Sequence, residues 1–394
     1  MGWDPVPRET GRGPVSRSVS RIPVGAHGGN LAALAARARR PATEIIDFSA
    51  NINPLGMPAS VRTALGGALA ELGDYPDPDC TELRQAIGAH LGVPPELVLP
   101  GNGAEQLIWW LPRLVRARRV VVTAPCYLDY RRGGAVWGLD VQEVPLDARR
   151  DFALDSGALT AGVSDGDLVW IGRPNNPTGR LVDVAAIAAF AKARPGVWWA
   201  VDEAFIEFVE GEVSVAGLPL ENVILVRSMT KFYGLAGLRL GYAVLRGDLA
   251  VAGRRLLPDW SVNTLAQRAG VAVLTDPELS AFAERTRGLI RCERQALAAA
   301  LRVLGASVVD GAANYLLLRL PDTAPTGAAV AERLLCRFGI AVRTCNDYVG
   351  LDARYLRVAV RGAADNARLI AGLADVLHRR GGETAAVAPE RAGR

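Results

Sequence analysis

Short apolar runs alternate with helical stretches along the middle of the chain, from about residue 96 to residue 246. The runs are apolar at consecutive positions and rich in valine, which is typical of strands buried on both faces of a parallel sheet. The pattern predicts strands at residues 120–123, 141–144, 168–171, 197–201, 222–226 and 240–245. A helix is predicted between two of them, from Val182 to Ala193. We therefore expect a mostly parallel α/β sheet.

The last third of the chain has a different pattern, with a long helical stretch before the strands. Periodicity predicts helices at about 278–303, 327–338 and 363–379, and strands near 314–320 and 355–360. This order is typical of a smaller α+β domain. We divide the chain into a disordered leader (1–24), an N-terminal segment that joins the small domain or an interface (25–75), a large domain (76–277), a small domain (278–380) and a flexible tail (381–394).

The composition argues against several classes of function. The formal net charge is only +4 and the arginines are dispersed, so neither a nucleic acid nor a membrane surface is an expected partner. Five scattered cysteines without CxxC spacing indicate reduced thiols, and with only three histidines we expect no metal site. The leader lacks the apolar core of a signal peptide, and no apolar run approaches the roughly 20 residues of a membrane span. These features predict a cytoplasmic protein.

The two lysines of the chain, Lys192 and Lys231, stand beside 43 arginines, since 45 basic residues less two leaves 43. Arginine stays protonated, whereas a lysine with a lowered pKa can act as an amine nucleophile and form a Schiff base. Lys192 ends an alanine-rich helical stretch, where a solvated cation is the ordinary interpretation. Lys231 follows two hydroxyl side chains and lies eight residues before Arg239. That pattern suits an anion held beside a carbonyl-bearing cofactor.

Three other polar motifs follow predicted strands or open a helix. The glycine loop 101–105 would present backbone N–H groups to an anion, although a helix-capping turn gives the same pattern. The segment 173–179 places Asn176 between two prolines, which predicts either an ordinary turn or an amide fixed at the sheet edge. Asp202 follows a run of Val, Trp and Ala. It is therefore either a helix cap or a buried carboxylate that pairs with a cationic ring nitrogen.

The chain contains, in this order, the glycine loop, an aromatic residue, asparagine, aspartate, lysine and arginine. This series resembles the one found in the fold-type I pyridoxal phosphate enzymes, the aspartate aminotransferase superfamily. Within it the chain is similar to the histidinol-phosphate aminotransferase branch and most similar to the L-threonine-O-phosphate decarboxylases of cobalamin biosynthesis. The stretches that carry the likeness to the decarboxylases are residues 27–30, 47–56, 202–205, 227–233, 260–263, 313–319 and 355–359.

This resemblance covers roughly residues 25–380 and implies both a fold and a cofactor. The implied fold is an aspartate aminotransferase-like α/β large domain with a mostly parallel sheet, together with a smaller α+β domain. The implied cofactor is pyridoxal 5'-phosphate. The implied assembly is a homodimer whose subunits share their active sites.

The resemblance also implies a role for each cofactor residue. Lys231 would bind the cofactor covalently, and Asp202 would pair with the pyridinium nitrogen so that the ring can accept electrons. Asn176 would form a hydrogen bond with the ring O3′, and Tyr127 would stack on the ring face. The residues that would hold the cofactor phosphate are Gly103, Ala104, Ser228, Thr230 and Arg239, with Tyr75 reaching over from the partner subunit. Ala104 lacks the hydroxyl or acid often found there, so backbone N–H groups and Arg239 would bind more of the phosphate.

For the substrate, the resemblance implies that Arg357 takes the carboxylate in a two-nitrogen contact that lysine could not reproduce. Arg343 is a second candidate for an anion. His27 and Asn30 match the segment that lies near the substrate phosphate in the decarboxylase. Phe205 replaces a tyrosine found in many aminotransferases of this branch, and this departure favours the decarboxylase.

Several alternatives remain open from the sequence. His27, beside two glycines, is equally consistent with a plain turn residue, and Arg361 is either a third anion-binding arginine or an outward-facing strand end. The reaction is either decarboxylation of threonine phosphate to aminopropanol phosphate or transamination, for example of histidinol phosphate, with Lys231 as the proton carrier. A transcription regulator that senses the cofactor is a third hypothesis, but residues 1–24 are too short for a helix-turn-helix. We expect the decarboxylation of a small phosphorylated amino acid.

Overall fold

The structure is a computed structural model that describes residues 27–378. The leader predicted at residues 1–24 and the tail predicted at 381–394 lie outside the described residues.

The described residues form the following helices and strands. The helices are α1 (Leu31–Ala38), α2 (Ala59–Ala68), α3 (Thr81–Leu91), α4 (Gly103–Leu114), α5 (Leu128–Val136), α6 (Ser156–Ala161), α7 (Val184–Ala193), α8 (Gly247–Leu256), α9 (Thr264–Leu274), α10 (Leu279–Val303), α11 (Gly327–Phe338) and α12 (Ala363–His378). The strands are β1 (Ile46–Asp47), β2 (Val98–Asn102), β3 (Arg119–Ala124), β4 (Asp140–Pro145), β5 (Asp167–Gly172), β6 (Trp198–Asp202), β7 (Val223–Ser228), β8 (Leu240–Val244), β9 (Ser307–Val308), β10 (Tyr315–Arg319), β11 (Ile340–Ala341), β12 (Arg343–Thr344) and β13 (Tyr355–Ala359).

A seven-stranded sheet forms the centre of the molecule, in the order β2-β8-β7-β6-β5-β3-β4. Six strands run in one direction, and β8 is antiparallel to both of its neighbours. All six strands predicted from the apolar runs are present. Strand β2 was not predicted, because only three apolar residues, 97–99, precede Pro100 and Gly101 there. The predicted mostly parallel sheet is confirmed.

Burial explains why these strands are apolar at consecutive positions. Every residue of β5 is buried, and Val120, Val169 and Val201 have no exposed surface. Complete burial of such a side chain contributes roughly 1.5–3 kcal/mol, so each position favours the sheet interior. Strands covered on both faces have no polar side, which is the reason the period-2 alternation is missing.

A second, antiparallel sheet with the order β12-β13-β10-β9 lies in the C-terminal part of the chain, together with α10, α11 and α12. The N-terminal segment contacts both parts of the molecule. Strand β1 pairs in parallel with β11 and α1 packs on α11, whereas α2 packs on α9. The domain boundaries given above stay a prediction.

Three strands of the large sheet end side by side and bring their last residues to one edge. Gly172 of β5 is opposite Asp202 of β6, and Ser228 is the last residue of the next strand, β7. The carboxyl edge of such a sheet is where ligands bind in α/β folds. Among residues 27–378, no helix combines the length and the apolar character needed to cross a bilayer.

Candidate functional site

Lys231 lies three residues beyond the end of β7, above the carboxyl edge of the large sheet. Its Nζ donates to Ser228 Oγ at 3.1 Å and to Thr230 Oγ1 at 3.3 Å. The same nitrogen lies 5.3 Å from the centre of the Phe205 ring. The amine is therefore held between two hydroxyls and an aromatic face, and no carboxylate contacts it within hydrogen-bond distance in the described part of the chain.

The environment of Lys231 favours the neutral amine. Burial lowers its pKa to about 8, and the positive charges of Arg239 and Arg357 act in the same direction. The charges of Asp202 and Glu105 oppose this shift without cancelling it. A lysine with a lowered pKa supplies the neutral amine that carbonyl chemistry needs. The structure therefore agrees with a reactive amine at Lys231.

Asp202 is the last residue of β6 and is only 7% exposed. Its Oδ2 accepts a hydrogen bond from the Tyr130 hydroxyl at 2.7 Å, and its Oδ1 accepts from the Ala204 N–H at 2.9 Å. Burial raises the pKa of Asp202, while the Tyr130 hydrogen bond and the charge of Lys231 act against that rise. A cation bound beside this carboxylate would restore its ionised form, which is the condition for pairing with a protonated ring nitrogen.

An anion-binding cup lies next to Lys231, where α4 begins. The backbone of Gly241 approaches Ala104 so closely that a Cβ at residue 241 would lie 2.3 Å from the Ala104 nitrogen, so only glycine leaves the N–H accessible. Ser228 and Thr230 face each other with hydroxyl oxygens 2.7 Å apart. Backbone N–H groups at a helix start and paired hydroxyls are suited to a phosphate.

Arg239 provides the positive charge of this cup. Its guanidinium lies next to Gly103, where a Cβ would come within 2.7 Å of Nη2, and 3.6 Å from the Glu105 carboxylate. Gly103 has φ +74°, and Arg239 itself has φ +59°, in the left-handed region that non-glycine residues rarely adopt. A strained backbone at a charged residue often marks a ligand contact.

Arg357 and Asn176 contact each other across the cavity, although 180 residues separate them in the chain. Arg357 Nη1 donates to Asn176 Oδ1 at 2.6 Å, and Nη2 donates to the Ser49 carbonyl at 2.8 Å. The guanidinium lies 5.5 Å from the Tyr315 ring and is almost completely buried. The bond to Oδ1 leaves the Asn176 amide nitrogen as the group that can donate to a ligand.

Two further arginines of the small domain line the cavity, but each already forms an ion pair with a carboxylate. Arg343 Nη2 contacts Asp347 Oδ2 at 2.6 Å, and Arg361 Nε contacts Asp365 Oδ2 at 2.8 Å. Arg361 lines the cavity, so the alternative of an outward-facing strand end is wrong. Both arginines are partly neutralised, whereas no carboxylate of the described residues pairs with Arg357.

His27 lies at the mouth of the cavity, against α5. Its Nε2 is 2.8 Å from Asp129 Oδ2 and 3.0 Å from Arg132 Nη1, and its ring centre is 5.7 Å from that of Tyr127. Asp129 is fully buried, and its pKa is lowered because contacts with His27 and Arg132 outweigh the effect of burial. His27 is thus held by side chains of α5 and lines the cavity, and its role in substrate binding stays a prediction.

The mouth also contains three potential metal-ligand atoms. One atom each from His27, Glu105 and Asp129 lies within 4.8 Å of the others. Arg132 lies beside Asp129 and Arg239 beside Glu105, so both carboxylates already have a cationic neighbour. A divalent cation would compete with these guanidinium groups.

These groups surround one cavity with a volume of about 680 Å³. The predicted residues that line it are His27, Ala104, Tyr127, Asn176, Asp202, Ser228, Thr230, Lys231, Arg239, Arg343 and Arg357. Gly103 lies directly behind this lining. A phosphorylated aromatic aldehyde fits the arrangement, because the carboxylate, the amine, the aromatic face and the anion-binding cup face one space.

Besides Gly103, two predicted residues do not line the cavity. Asn30 Oδ1 accepts the Ala33 N–H at 3.0 Å and caps α1 instead. Tyr75 is 80% exposed and stacks on Trp260 with ring centres 4.6 Å apart. A role for Tyr75 therefore needs a partner subunit, and the part assigned to Asn30 stays a prediction.

Sequence reasoning missed other residues of the site. Tyr130, which donates to Asp202, stacks flat on Trp170 at 4.7 Å and is three residues beyond Tyr127 on α5. That helical spacing was a signal that could have identified it. Tyr348 and Ser49 also line the cavity, where Tyr348 lies in the loop between β12 and β13 and Ser49 follows β1.

The comparisons with known proteins agree on one family. The model of the family "Aminotransferase class I and II" matches residues 43–373. The chain is 38% identical over 358 residues to threonine-phosphate decarboxylase of Salmonella typhimurium, which covers 89% of this chain and 96% of that protein. It is also 38% identical over 344 residues to histidinol-phosphate aminotransferase 1 of Cupriavidus pinatubonensis, with 84% and 88% covered.

A solved structure supports the fold and the cofactor. Histidinol-phosphate aminotransferase of Sinorhizobium meliloti in complex with pyridoxal-5'-phosphate superposes with a TM-score of 0.81 at 26% identity, covering 92% of this chain and 96% of that one. The predicted aspartate aminotransferase-like fold is confirmed. The predicted cofactor, pyridoxal phosphate, is confirmed as well.

Proposed function

The chain belongs to the aminotransferase class I and II family of pyridoxal phosphate enzymes, and from this premise we propose that it decarboxylates L-threonine O-phosphate to aminopropanol phosphate in cobalamin biosynthesis. The likeness to the Salmonella decarboxylase along nearly the whole of both chains supports the proposal. Phe205 supports it too, because many aminotransferases of this branch have a tyrosine at that position.

One observation carries the proposal. Arg357 is a buried arginine with two neutral acceptors, Asn176 Oδ1 and the Ser49 carbonyl, and its Nε has no partner in the described residues. A buried charge without a counter-charge is costly, so the position favours an anionic ligand. Threonine phosphate carries an α-carboxylate that meets this requirement. Histidinol phosphate has none, so in an aminotransferase only the keto acid that accepts the amino group would meet it.

Each residue has a separate task in this reaction. When bound, the cofactor would stabilise the electron pair that the departing CO₂ leaves on the substrate's α-carbon. Lys231 would bind the cofactor. Once the substrate has displaced it, its amine would take up a proton and, as the ammonium form near the α-carbon, would supply the proton that replaces the lost CO₂. Asp202 keeps the ring nitrogen protonated, with Tyr130 fixing the carboxylate. Arg357 orients the carboxylate so that the bond to it, and not the Cα–H bond, stands perpendicular to the ring.

The same proposal includes a cytoplasmic homodimer with shared active sites. Tyr75 and Trp260 form an exposed aromatic pair, which is unusual on a surface that faces only water. In a dimer Tyr75 would reach the anion-binding cup of the partner subunit. The anion-binding groups of the cavity mouth, His27, Arg343 and Arg361, are then available to the substrate phosphate.

An aminotransferase is the second candidate, because the Cupriavidus histidinol-phosphate aminotransferase is as similar in identity as the decarboxylase is. Both reactions use the same cofactor residues. They differ in the Cα bond that breaks, and therefore in the need for a keto acid that accepts the amino group.

The test is to supply the holoenzyme with L-threonine O-phosphate alone and to measure CO₂ and aminopropanol phosphate. The proposal predicts release of CO₂ over many turnovers without a keto acid. An aminotransferase would stop after one half-reaction, with its cofactor converted to the amine form. The absence of CO₂, together with rapid amino transfer from histidinol phosphate to 2-oxoglutarate, would reject the decarboxylase and favour the second candidate.

A further inference from the structure

Three motifs of the site contain a charged residue that does not line the cavity. Arg173 follows β5, Glu203 follows β6, and Arg227 is the penultimate residue of β7. Each is within three residues of a residue assigned to the cofactor. The side chains of Arg173 and Glu203 have no exposed surface, and that of Arg227 is 8% exposed. The cofactor chemistry uses none of them.

Glu203 is the centre of this group, which we call the rear ion cluster: Arg173, Glu203 and Arg227. Glu203 Oε1 accepts from Arg173 Nη1 at 3.1 Å and from the Val215 N–H at 3.0 Å. Its Oε2 accepts from Arg227 Nε at 3.2 Å and Nη2 at 3.0 Å, and from Ser214 Oγ at 2.6 Å. One carboxylate thus receives five hydrogen bonds and holds two arginines that come from the strands on either side.

The outer contacts complete the rear ion cluster. Arg173 Nε donates to the Val182 carbonyl at 2.8 Å, and its Nη2 contacts Glu212 at 2.5 Å. Arg227 Nη1 lies 3.8 Å from Glu207, which accepts from the Tyr233 hydroxyl at 2.7 Å. Burial raises the pKa of Glu207, and the charge of Arg227 opposes that rise. The polar atoms of Glu203 are fully satisfied without any ligand.

The location of the rear ion cluster explains what it can do. Strands β5, β6 and β7 are neighbours, and successive side chains of a strand point to opposite faces. Asp202 and Ser228 line the cavity, while the residues next to them in the chain, Glu203 and Arg227, bind each other behind it. A contact between the rear side chains therefore fixes the distance between the front ones.

Stability alone is a weak reason for such a cluster. Apolar side chains of similar volume often replace a buried ion pair without loss of stability, whereas directional bonds set a geometry that apolar packing does not. We propose that Glu203 is a positioning residue that, through Arg173 and Arg227, sets the separation of the three strand ends that hold the cofactor. The inference rests on the cofactor site and holds whether the reaction is decarboxylation or transamination.

Two substitutions disturb Glu203 in different ways, one through its charge and one through the length of its side chain. Glu203→Gln keeps the length of the side chain and removes the charge, whereas Glu203→Asp keeps the charge and shortens the side chain by one methylene. We expect both variants to raise the dissociation constant of pyridoxal phosphate at least tenfold and to lower kcat more than they raise KM. Cofactor affinity is measured by titrating the apoprotein and following the visible absorption band, which does not depend on turnover.

Two controls make the result decisive. Glu210→Gln removes an exposed carboxylate of the same segment that pairs with Arg291, and it should leave affinity and turnover unchanged. Val330→Ala opens a cavity beside α11, none of whose residues lines the cofactor cavity, and reports the effect of lower stability alone. The inference is overturned if Glu203→Asp has wild-type cofactor affinity and wild-type kcat. It is also overturned if Val330→Ala, with the same fall in Tm as the Glu203 variants, weakens cofactor binding as much as they do.

The design also covers variants that do not fold. Arg227→Lys keeps the positive charge and loses the two-nitrogen contact with Glu203. It should also raise the dissociation constant of pyridoxal phosphate, but by less than the Glu203 variants do. Wild-type affinity in Arg227→Lys would overturn the inference by itself. If the wild-type enzyme releases no CO₂ but these variants lose cofactor affinity as expected, the proposed decarboxylation is rejected and the role of Glu203 stands.

Discussion

Asp202 and Ser228 reach the cavity from the ends of neighbouring strands of one sheet, whereas Arg357 and His27 reach it from the small sheet and from the N-terminal segment. Following the roles proposed above, we call the part of the cavity lined by the first pair the cofactor half and the part lined by the second pair the substrate half. In the cofactor half, hydrogen bonds around the central sheet, such as those from Tyr130 to Asp202 and from Lys231 to Ser228, and the rear ion cluster fix each group. In the substrate half, contacts join segments that are far apart in the sequence, such as Arg357 with Ser49.

This difference indicates which half can vary among related enzymes. Moving Asp202 relative to Lys231 requires a change in the central sheet, where side chains are closely packed and fully buried. Moving Arg357 relative to His27 requires only a shift of the small domain or of the N-terminal segment. A common cofactor half with an adjustable substrate half explains how decarboxylases and aminotransferases can both resemble this chain.

The largest effect is expected from Lys231→Ala in the cofactor half. Without the amine, covalent cofactor binding and proton delivery both fail, so the rate should fall on the order of 10³-fold or more. Steady-state kinetics and the visible spectrum are the measurements. Lys192→Ala, which changes an exposed lysine of α7, is the matched control and should retain wild-type activity. Full activity in Lys231→Ala would remove the basis for the assigned site.

Asp202→Asn should have the next largest effect. The amide cannot stabilise a protonated ring nitrogen, and removing such a preorganised charge lowers rates on the order of 10²-fold. Tyr130→Phe removes one hydrogen bond to the same carboxylate and should cost about 1 kcal/mol, or roughly fivefold. Both rates are measured at saturating cofactor. If Asp202→Asn leaves the rate and the cofactor spectrum unchanged, Asp202 is only a structural cap.

Arg357→Lys tests the substrate half. Lysine cannot form the two-nitrogen contact with a carboxylate, so kcat/KM for threonine phosphate should fall by about 10- to 100-fold, with a higher KM. Arg354→Lys, which changes an arginine bound to the carbonyls of Pro321 and Ala324, serves as the control. The affinity for pyridoxal phosphate should not change. A loss of cofactor in Arg357→Lys would contradict the division into two halves.

The amine of Lys231 predicts a pH dependence in the cofactor half. Its pKa is lowered to about 8, so the neutral fraction should rise roughly tenfold between pH 7 and pH 9. The rate at which apoprotein takes up pyridoxal phosphate should rise with it and level off above pH 9. Stopped-flow absorbance measures this rate. A rise that continues towards the ordinary lysine value of 10.5 would show that burial does not act on Lys231 as described.

The smallest effect is expected from His27→Ala. The His27 side chain is 41% exposed, and a polar contact made by a partly exposed side chain is worth about 1 kcal/mol or less. The kcat/KM for threonine phosphate should therefore fall no more than about fivefold, while that for unphosphorylated threonine stays the same. His90→Ala, at a helix surface away from the cavity, is the control. An equal loss for both substrates would place His27 outside phosphate recognition.

The two halves also differ in how far the sequence predicts them. The positions of Lys231, Asp202 and Asn176 could be predicted because each follows a strand that its own apolar run identifies. The hydrogen bond from Tyr130 to Asp202 and the pairing of Glu203 with two arginines could not, because they depend on the order of strands in the sheet. The same reason applies to Ser49, whose carbonyl meets Arg357 only after the small domain has assembled.

The central claim is that one lysine of the chain binds the cofactor at the edge of the large sheet. The most direct measurement is borohydride reduction of the holoenzyme, followed by proteolysis and mass spectrometry of the lysine-containing peptides. The account predicts the reduced cofactor on Lys231 and an unmodified Lys192. Label on Lys192, or no label on either lysine with the visible band unchanged by reduction, would contradict it.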